Sequence, residues 1–299
     1  MVEATQESLM DWLITGGAGQ LGLAISRELK FQGISFSALN STQLDVTNVD
    51  SISSSLSKFQ PRVIVNCAAW TDVDGAEENE HLAFRINSQG AANISLAARE
   101  IGSKLIHVST DYVFSGDSTE PRKVADQTVP ETAYGRSKLD GERKVFEIYP
   151  QNSLIIRTAW LYSPWKKNFV KSILKQVNKN EKIRVVNNQV GQPTSALDLA
   201  KQIVDLGLSR SPAGMYHGTN SGQATWFEFA QEIVKLAGGD PRCVIAVDSS
   251  EFSRPAIRPK YSVLNHDAWE LTSLAPMRNW QIALAFAIPL IISAVDKEG

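Results

Sequence analysis

The sequence has little cysteine and no excess of charge of either sign. Its 299 residues include two cysteines, Cys67 and Cys243, which lie far apart and outside any CxxC spacing, so neither a zinc site nor a disulfide scaffold is predicted. The 30 basic and 32 acidic residues give a net charge of -2, which argues against binding to nucleic acid or to a membrane surface. The composition favours small-molecule chemistry in a reducing, cytoplasmic setting.

The sequence also lacks a segment suited to cross a membrane. Residues 1–10 contain Glu3 and Glu7 but no basic stretch followed by an apolar one, so they indicate a loose extension rather than a signal peptide. Whether they form a native terminus or belong to a longer polypeptide stays open. The apolar run at residues 282–295 is about 14 residues long and contains Pro289, whereas a span needs about 20. We expect that run to be a terminal helix packed on the body.

What the sequence does contain is an alternation of short apolar runs and amphipathic segments. Buried strands are predicted at residues 11–15, 34–39, 63–66, 105–109 and 154–157. Helices are predicted between them, at residues 20–31, 49–58, 78–101 and 131–147. Because parallel strands need crossover connections, this order predicts an α/β fold with a Rossmann-type, doubly wound parallel sheet.

The alternation becomes less regular after about residue 158. Further elements are expected as helices near residues 169–178, 196–208 and 225–237 and as a strand at residues 183–186. We predict a Rossmann domain over residues 1–158 and a smaller C-terminal α/β lobe that binds the substrate over residues 159–299. Elements at about residues 182–208 are expected to return to the Rossmann sheet.

A glycine motif follows the first predicted strand and opens the first predicted helix. Gly16 allows a tight turn, Gly19 lets the backbone approach a pyrophosphate, and Gly22 lets helix and strand pack closely. The free N–H groups at the helix N-terminus favour an anion. A glycine-rich turn without a ligand is the alternative, but the position between strand and helix favours a dinucleotide site.

The residues after the second strand do not decide which dinucleotide binds. An acidic residue there would grip the ribose 2′-hydroxyl of NADH, and a basic residue would hold the 2′-phosphate of NADPH. Asn40 and Ser41 offer neither charge, so both cofactors stay open. Asp45 is placed either to contact the adenine edge or to cap the following helix.

A second constellation carries groups suited to proton transfer. Tyr134 and Lys138 are separated by four residues on a predicted helix, which puts both on one face. A nearby ammonium lowers a tyrosine pKa from its usual value of roughly 10, although a solvent-facing helix with an incidental Tyr and Lys is the alternative. Ser109 and Thr110 end a buried strand, where ligands of open α/β sheets bind. A hydroxyl there is placed to polarise the carbonyl that the tyrosine protonates.

These motifs together resemble the extended type of the short-chain dehydrogenase/reductases, in particular those that reduce nucleotide-linked deoxysugars. The matching segments are TGGAGQLG, NCAAWTDVDGAE, STDYVFSG, YGRSKLDGE, IRTAWLY, NNQVGQPTSA and RPKYSVLN. Related dehydratases carry an Asp-Glu pair after the catalytic Thr, whereas here Asp111 is followed by Tyr112. The resemblance therefore implies reduction of a dTDP-linked 4-keto-6-deoxysugar by NADPH or NADH.

The resemblance also implies roles for individual residues. The implied catalytic set is Thr110, Tyr134 and Lys138. Implied cofactor contacts are Gly16, Gly19, Gln20, Leu21, Asn40, Ser41, Asp45, Val46, Ala68, Ala69, Trp70, Tyr134 and Lys138. Implied substrate contacts are Thr71, Val73, Thr110, Asp111, Tyr112, Tyr134, Trp160, Asn168, Gln192 and Arg258.

Some alternatives stay open at this level. Trp160 is either a substrate platform or core, whereas Trp226 and Trp280 are expected in the core, and His107 is expected to be a satisfied buried histidine. A cofactor-binding regulatory subunit and a reductase of another nucleotide sugar are the rival functions. We expect a monomer or homodimer with no metal; a divalent ion such as Mg²⁺, known for some relatives, has no visible ligand cluster.

Overall fold

The computed structural model describes residues 11–177 and 182–297. The predicted extension at residues 1–10 lies outside this part of the chain, as does Asn178 at the end of one predicted helix. The strands are β1 Trp12–Thr15, β2 Phe36–Leu39, β3 Val63–Asn66, β4 Lys104–Thr110, β5 Ser153–Thr158, β6 Leu161–Tyr162, β7 Ile183–Val186, β8 Val190–Gly191, β9 Thr194–Ser195, β10 Gly214–His217, β11 Ala224–Thr225 and β12 Val244–Val247.

The α-helices alternate with these strands along the chain. They are α1 Gln20–Phe31, α2 Val49–Phe59, α3 Val73–Glu78, α4 Glu80–Phe84, α5 Gly90–Glu100, α6 Ala133–Ile148, α7 Phe169–Val177, α8 Ala196–Leu208, α9 Trp226–Leu236 and α10 Trp280–Asp296. A π-helical turn, Arg85–Gln89, joins α4 to α5 without interrupting the helix, so the helix predicted at residues 78–101 is found over residues 80–100, and Glu78 belongs to α3 instead.

A six-stranded sheet in the order β10-β5-β4-β3-β1-β2 forms the centre of the fold. All its strand pairs are parallel. Residues of α1 and α8 cover one face, and residues of α2, α5 and α6 cover the other. Strands β1 and β3 are therefore buried on both faces, which explains why they appear in the sequence as continuous apolar runs. The predicted Rossmann-type doubly wound sheet is confirmed.

A second core belongs to the C-terminal part of the chain. It is formed by apolar residues of α7, α9, α10, β7 and β12, and includes Trp280, as expected. Elements at about residues 182–208 were predicted to return to the Rossmann sheet. This prediction is wrong for strand β7, because β7 pairs with β12 in the lobe. Helix α8 does cover the central sheet, and β10, beyond the predicted range, joins it beside β5. A short apolar strand fits either sheet, so its sequence does not distinguish them.

The apolar run near the C-terminus is helix α10, packed on the lobe as expected. Its inward side chains, such as Leu284 and Ile291, are fully buried. Within the described ranges, no helix combines the length and apolar character that a bilayer span requires.

Candidate active site

The glycine motif forms a tight turn against the end of β3. Gly16 has φ +63, and a Cβ there would lie 2.8 Å from the backbone nitrogen of Ala68. A Cβ at Gly22 would lie 2.6 Å from the carbonyl oxygen of Gly16. Only glycine fits these two positions, and the turn after β1 therefore packs closely against α1 and the end of β3.

Helix α1 begins directly after this turn. Its N-cap is Gly19, and among the described residues no side chain caps it and no acidic residue occupies its first turn. The first N–H groups of a helix have no intrahelical partner and attract anions. The residues present therefore fit a dinucleotide diphosphate, for which Gln20 and Leu21 would supply free backbone amides, whereas the Gly19 amide already donates to the Gly16 carbonyl oxygen at 2.9 Å.

Gln20 also connects the glycine turn to the segment that follows β6. Its Oε1 accepts hydrogen bonds from Ser163 Oγ at 2.8 Å and from Asn168 Nδ2 at 3.1 Å. Asn168 Nδ2 additionally donates to the Ser163 carbonyl oxygen at 2.8 Å. The structure thus places Asn168, a predicted substrate contact, beside a predicted cofactor contact, and its amide is engaged with protein atoms there.

The polar residues after β2 are engaged in local turns. Asn40 Oδ1 accepts from the backbone nitrogens of Thr42 and Gln43 at 3.0 and 3.1 Å, and Ser41 is exposed. Asp45 Oδ1 accepts from the Thr47 backbone nitrogen at 2.9 Å. The alternative that Asp45 caps the next helix is wrong, because Asn48 caps α2. Val46, a further predicted cofactor contact, is buried.

An asparagine that sequence reasoning missed anchors the segment after β3. The backbone nitrogen of Trp70 donates to Asn87 Oδ1 at 2.8 Å, and Asn87 Nδ2 donates to the Trp70 carbonyl oxygen at 3.1 Å and to Ser137 Oγ at 2.9 Å. Asn87 is buried in the π-helical turn. It therefore ties the segment that contains Ala68 and Ala69 to α6, while Thr71 is exposed and Val73 begins α3.

The predicted catalytic residues meet at the carboxyl end of the sheet. Thr110 ends β4, and Tyr134 and Lys138 lie on α6. A Cβ at Gly135 would overlap the Tyr112 carbonyl, so the glycine allows α6 to pack closely on the turn after β4. The rings of Tyr112 and Tyr134 make an edge contact with centroids 5.6 Å apart.

The electrostatics of Tyr134 differ from the sequence expectation. Burial, together with the Asp111 charge, raises the pKa of the phenol to about 12, although hydrogen bonding with Thr110 lowers it in part. Lys138 was expected to lower this pKa, but its Nζ donates to the Val108 carbonyl oxygen at 2.6 Å. Burial also lowers the pKa of Lys138 to about 8. Tyr134 is consequently fully protonated at neutral pH, which is the form that a proton donor requires.

Two of the predicted substrate contacts, Gln192 and Arg258, are hydrogen-bonded to other protein groups. Gln192 is buried, and its Oε1 accepts from Leu264 N and from Thr219 Oγ1, both at 2.8 Å, while its Nε2 donates to the Leu264 carbonyl oxygen. The expectation that Gln192 contacts the substrate is therefore not supported: its amide holds two loops together. Arg258 makes a two-pronged ion pair with Asp74 at 2.7 and 2.9 Å.

Trp160 stands at the junction of the sheet and the lobe in an unusual conformation. Its φ is +45, which is rare for a non-glycine residue. Its ring stacks on Trp226 with centroids 3.5 Å apart and an angle of 10° between the planes. Trp226, expected in the core, is half-buried: it packs on the second core through Phe169 and Phe229, and it also contacts Trp160. A backbone conformation of this kind is maintained only by surrounding contacts and is concentrated at ligand sites.

Two further predictions concern the buried histidine His107 and the lack of a metal site. His107 is buried as predicted, and its Nδ1 lies 3.1 Å from Asn66 Nδ2. Its Nε2 has no partner among the described residues, so it is satisfied only at one nitrogen. Over residues 11–177 and 182–297, no group of three or more His, Cys, Asp or Glu side chains is arranged to hold a metal ion.

Comparison with known proteins agrees with this geometry. The family model described as the RmlD substrate binding domain matches residues 10–291. The chain is 40% identical over 290 residues to a dTDP-4-dehydrorhamnose reductase of Streptomyces griseus, covering 96% of this chain and 95% of that one. It is also 40% identical over 280 residues to a dTDP-4-keto-6-deoxy-D-glucose reductase of Streptomyces niveus, covering 94% and 97%.

A solved structure shares the fold at high similarity. The dTDP-4-dehydrorhamnose reductase of Bacillus anthracis, in complex with NADP, superimposes with a TM-score of 0.88 at 36% identity and covers 93% of this chain and 98% of that one. The family model and both relatives extend over the glycine turn, the Thr110–Tyr134–Lys138 cluster and the lobe. The chain therefore belongs to the RmlD substrate-binding domain family.

Proposed function

We propose that this protein is an NADPH- or NADH-dependent reductase that converts dTDP-4-dehydro-6-deoxy-L-mannose to dTDP-L-rhamnose, the last step of dTDP-L-rhamnose biosynthesis. The observation that carries this proposal is a protonated phenol, Tyr134, beside Thr110 at the end of β4, next to an uncapped helix N-terminus that fits a dinucleotide. Relatives with 40% identity over nearly the whole chain are named as reductases of dTDP-linked sugars.

The roles of the residues follow from the chemistry of ketone reduction. The bound nicotinamide would supply the hydride to the sugar C4. Tyr134 Oη would hold the proton that the developing alkoxide takes, and the Thr110 hydroxyl would donate a hydrogen bond to the same oxygen. Lys138, charged below its pKa of about 8, would hold the nicotinamide ribose.

The substrate would lie between the sheet and the C-terminal lobe. Tyr112 and Trp160 offer flat faces there, and Arg258 offers a guanidinium already oriented by Asp74. We propose these side chains as contacts for the sugar, base or diphosphate. We also propose a cytoplasmic monomer or homodimer; the two free cysteines are compatible with a reducing compartment.

A second candidate substrate is favoured by one comparison. The relative from Streptomyces niveus is named as a dTDP-4-keto-6-deoxy-D-glucose reductase and is as similar to this chain as the dTDP-4-dehydrorhamnose reductase of Streptomyces griseus. The two sugars share the 4-keto group and the dTDP moiety, so the same catalytic residues would serve both. A cofactor-binding regulatory subunit is disfavoured because Thr110, Tyr134 and Lys138 are all present.

Loss of nicotinamide absorbance tests the proposed reaction directly. Purified protein is mixed with NADPH or NADH and with dTDP-4-dehydro-L-rhamnose, generated enzymatically in place; dTDP-4-keto-6-deoxy-D-glucose is assayed in parallel. We expect turnover with the first sugar, and the ratio of kcat/KM for the two cofactors gives the preference. Turnover with the second sugar alone would reassign the substrate, and cofactor binding without turnover of either would contradict the proposed reductase.

A further inference from the structure

A buried carboxyl group lies directly behind the predicted oxyanion donor. Asp111 is 3% exposed and follows Thr110 at the end of β4. Its Oδ1 accepts a hydrogen bond from Thr110 Oγ1 at 3.0 Å. Its Oδ2 is buried and has no hydrogen-bond partner within the described part of the chain. An ionised carboxylate with an unpaired, buried oxygen is costly, so this environment favours the neutral acid.

The Thr110 hydroxyl already donates its single proton in this arrangement. Its oxygen accepts from the backbone nitrogen of Tyr112 at 3.2 Å, and its single proton is donated to Asp111. A hydroxyl group has only one proton to donate. While Asp111 is ionised and accepts this hydrogen bond, Thr110 therefore has no proton left to donate to a substrate carbonyl oxygen.

We propose that Asp111 is a positioning residue that carries a proton in the reactive state. Its carboxyl O–H then donates to Thr110 Oγ1, and the Thr110 hydroxyl proton is free to point at the substrate oxygen. The inference deepens the proposed reductase function and rests on it. It adds no reactant: one proton resides on the Asp111 carboxyl group, one hydrogen bond reverses its direction, and the Tyr134 proton is still the one transferred to the substrate.

The groups around Asp111 fit this assignment. Burial raises the pKa of Asp111 to about 6, and the nearby Ser262 and Thr110 hydroxyls and the backbone N–H groups of Asp111 and Tyr112 oppose the shift without cancelling it. The titratable groups that face it are Tyr112 and Tyr134, both protonated at neutral pH because burial raises each pKa. Beyond Tyr112, Arg258 is paired with Asp74, so its charge is already compensated.

The pH dependence of kcat/KM for the sugar nucleotide tests the proposal. In the wild type we expect kcat/KM to fall as the pH rises through about 6, by about tenfold per pH unit above that point. The reason is that the ionised Asp111 accepts the hydrogen bond that Thr110 would otherwise donate to the substrate. Asp111→Asn cannot titrate, and its Nδ2 can donate to Thr110 Oγ1. We expect this variant to lose the descending limb of kcat/KM.

Thr110→Val provides the matched background. Without the hydroxyl there is nothing for Asp111 to orient, so in the Thr110→Val background Asp111→Asn is expected to lose the pH-dependent effect that it has in the wild type, and the effects of the two substitutions are not additive. A second readout does not need turnover: the carboxyl ¹³C resonance of free enzyme that disappears in Asp111→Asn is expected to titrate near pH 6.

Three results would overturn the assignment: a descending limb that persists in Asp111→Asn, effects of the two substitutions that add in the double variant, or an Asp111 resonance that stays ionised down to pH 5. An additive effect would mean that Asp111 acts on the substrate independently of Thr110. A wild type without turnover would instead contradict the proposed reaction, so the two failures are distinguishable.

Discussion

Tyr134→Phe is expected to lower kcat by about 10²- to 10⁴-fold, the usual contribution of a general acid, while the protein stays folded. The substitution removes one oxygen and keeps the ring that packs edge-on against Tyr112. Because the pKa of the phenol is raised to about 12, Tyr134 is protonated at neutral pH and can donate this proton to the alkoxide product. The affinity for NADPH, measured by titration of protein fluorescence, should change by less than about tenfold.

Tyr149→Phe is the matched control for this substitution. Tyr149 is also buried and sits at the opposite end of α6, where its hydroxyl accepts a hydrogen bond from Asn152 Nδ2 at 3.1 Å. Loss of the Tyr149 hydroxyl should leave kcat unchanged within about threefold, since this hydroxyl bonds to Asn152 and to no predicted site residue. A Tyr134→Phe variant that retains wild-type turnover would remove Tyr134 from the catalytic set.

Glu142→Gln is expected to destabilise the protein by about 3 to 5 kcal/mol. Glu142 and Arg157 form a two-pronged ion pair at 2.7 and 2.9 Å, and both side chains are 3% exposed. Glu142 lies one turn beyond Lys138 on α6, and Arg157 lies on β5, so the pair fixes the helix that carries Tyr134 to the sheet. Removal of one charge leaves the other buried without compensation.

Urea unfolding of three variants measures this effect. Asp205→Asn removes a more exposed i,i+4 pair with Lys201 and should cost less than about 1 kcal/mol. Replacing both partners, as Glu142→Leu with Arg157→Met, should recover much of the loss, because no unpaired charge remains. A Glu142→Gln midpoint equal to that of Asp205→Asn would show that the buried pair does not anchor α6.

The sequence predicts the elements whose formation depends on local signals. The bounds of α1 and α8 match the predicted residues 20–31 and 196–208, because apolar periodicity and a preceding turn define both. The glycine turn and the carboxyl end of β4 were also predicted, since motif and strand order place them together.

The parts that the sequence did not predict depend on contacts between distant residues. The π-helical turn that contains Asn87 goes with its hydrogen bonds to Trp70, 17 residues away, and the positive φ of Trp160 is held by Trp226. The direction of the Lys138 ammonium and the burial of Gln192 likewise depend on backbone carbonyls and loops from other elements. Spacing shows that Tyr134 and Lys138 share a helix face, but not that burial raises the phenol pKa.

Transfer of deuterium tests the central claim most directly. The protein is incubated with dTDP-4-dehydro-L-rhamnose and a reduced nicotinamide cofactor that carries deuterium at both C4 positions, and the sugar product is analysed by NMR. We predict deuterium at C4 of the sugar, with the configuration of L-rhamnose. A product without deuterium at C4, or one with the opposite configuration at C4, would contradict the account.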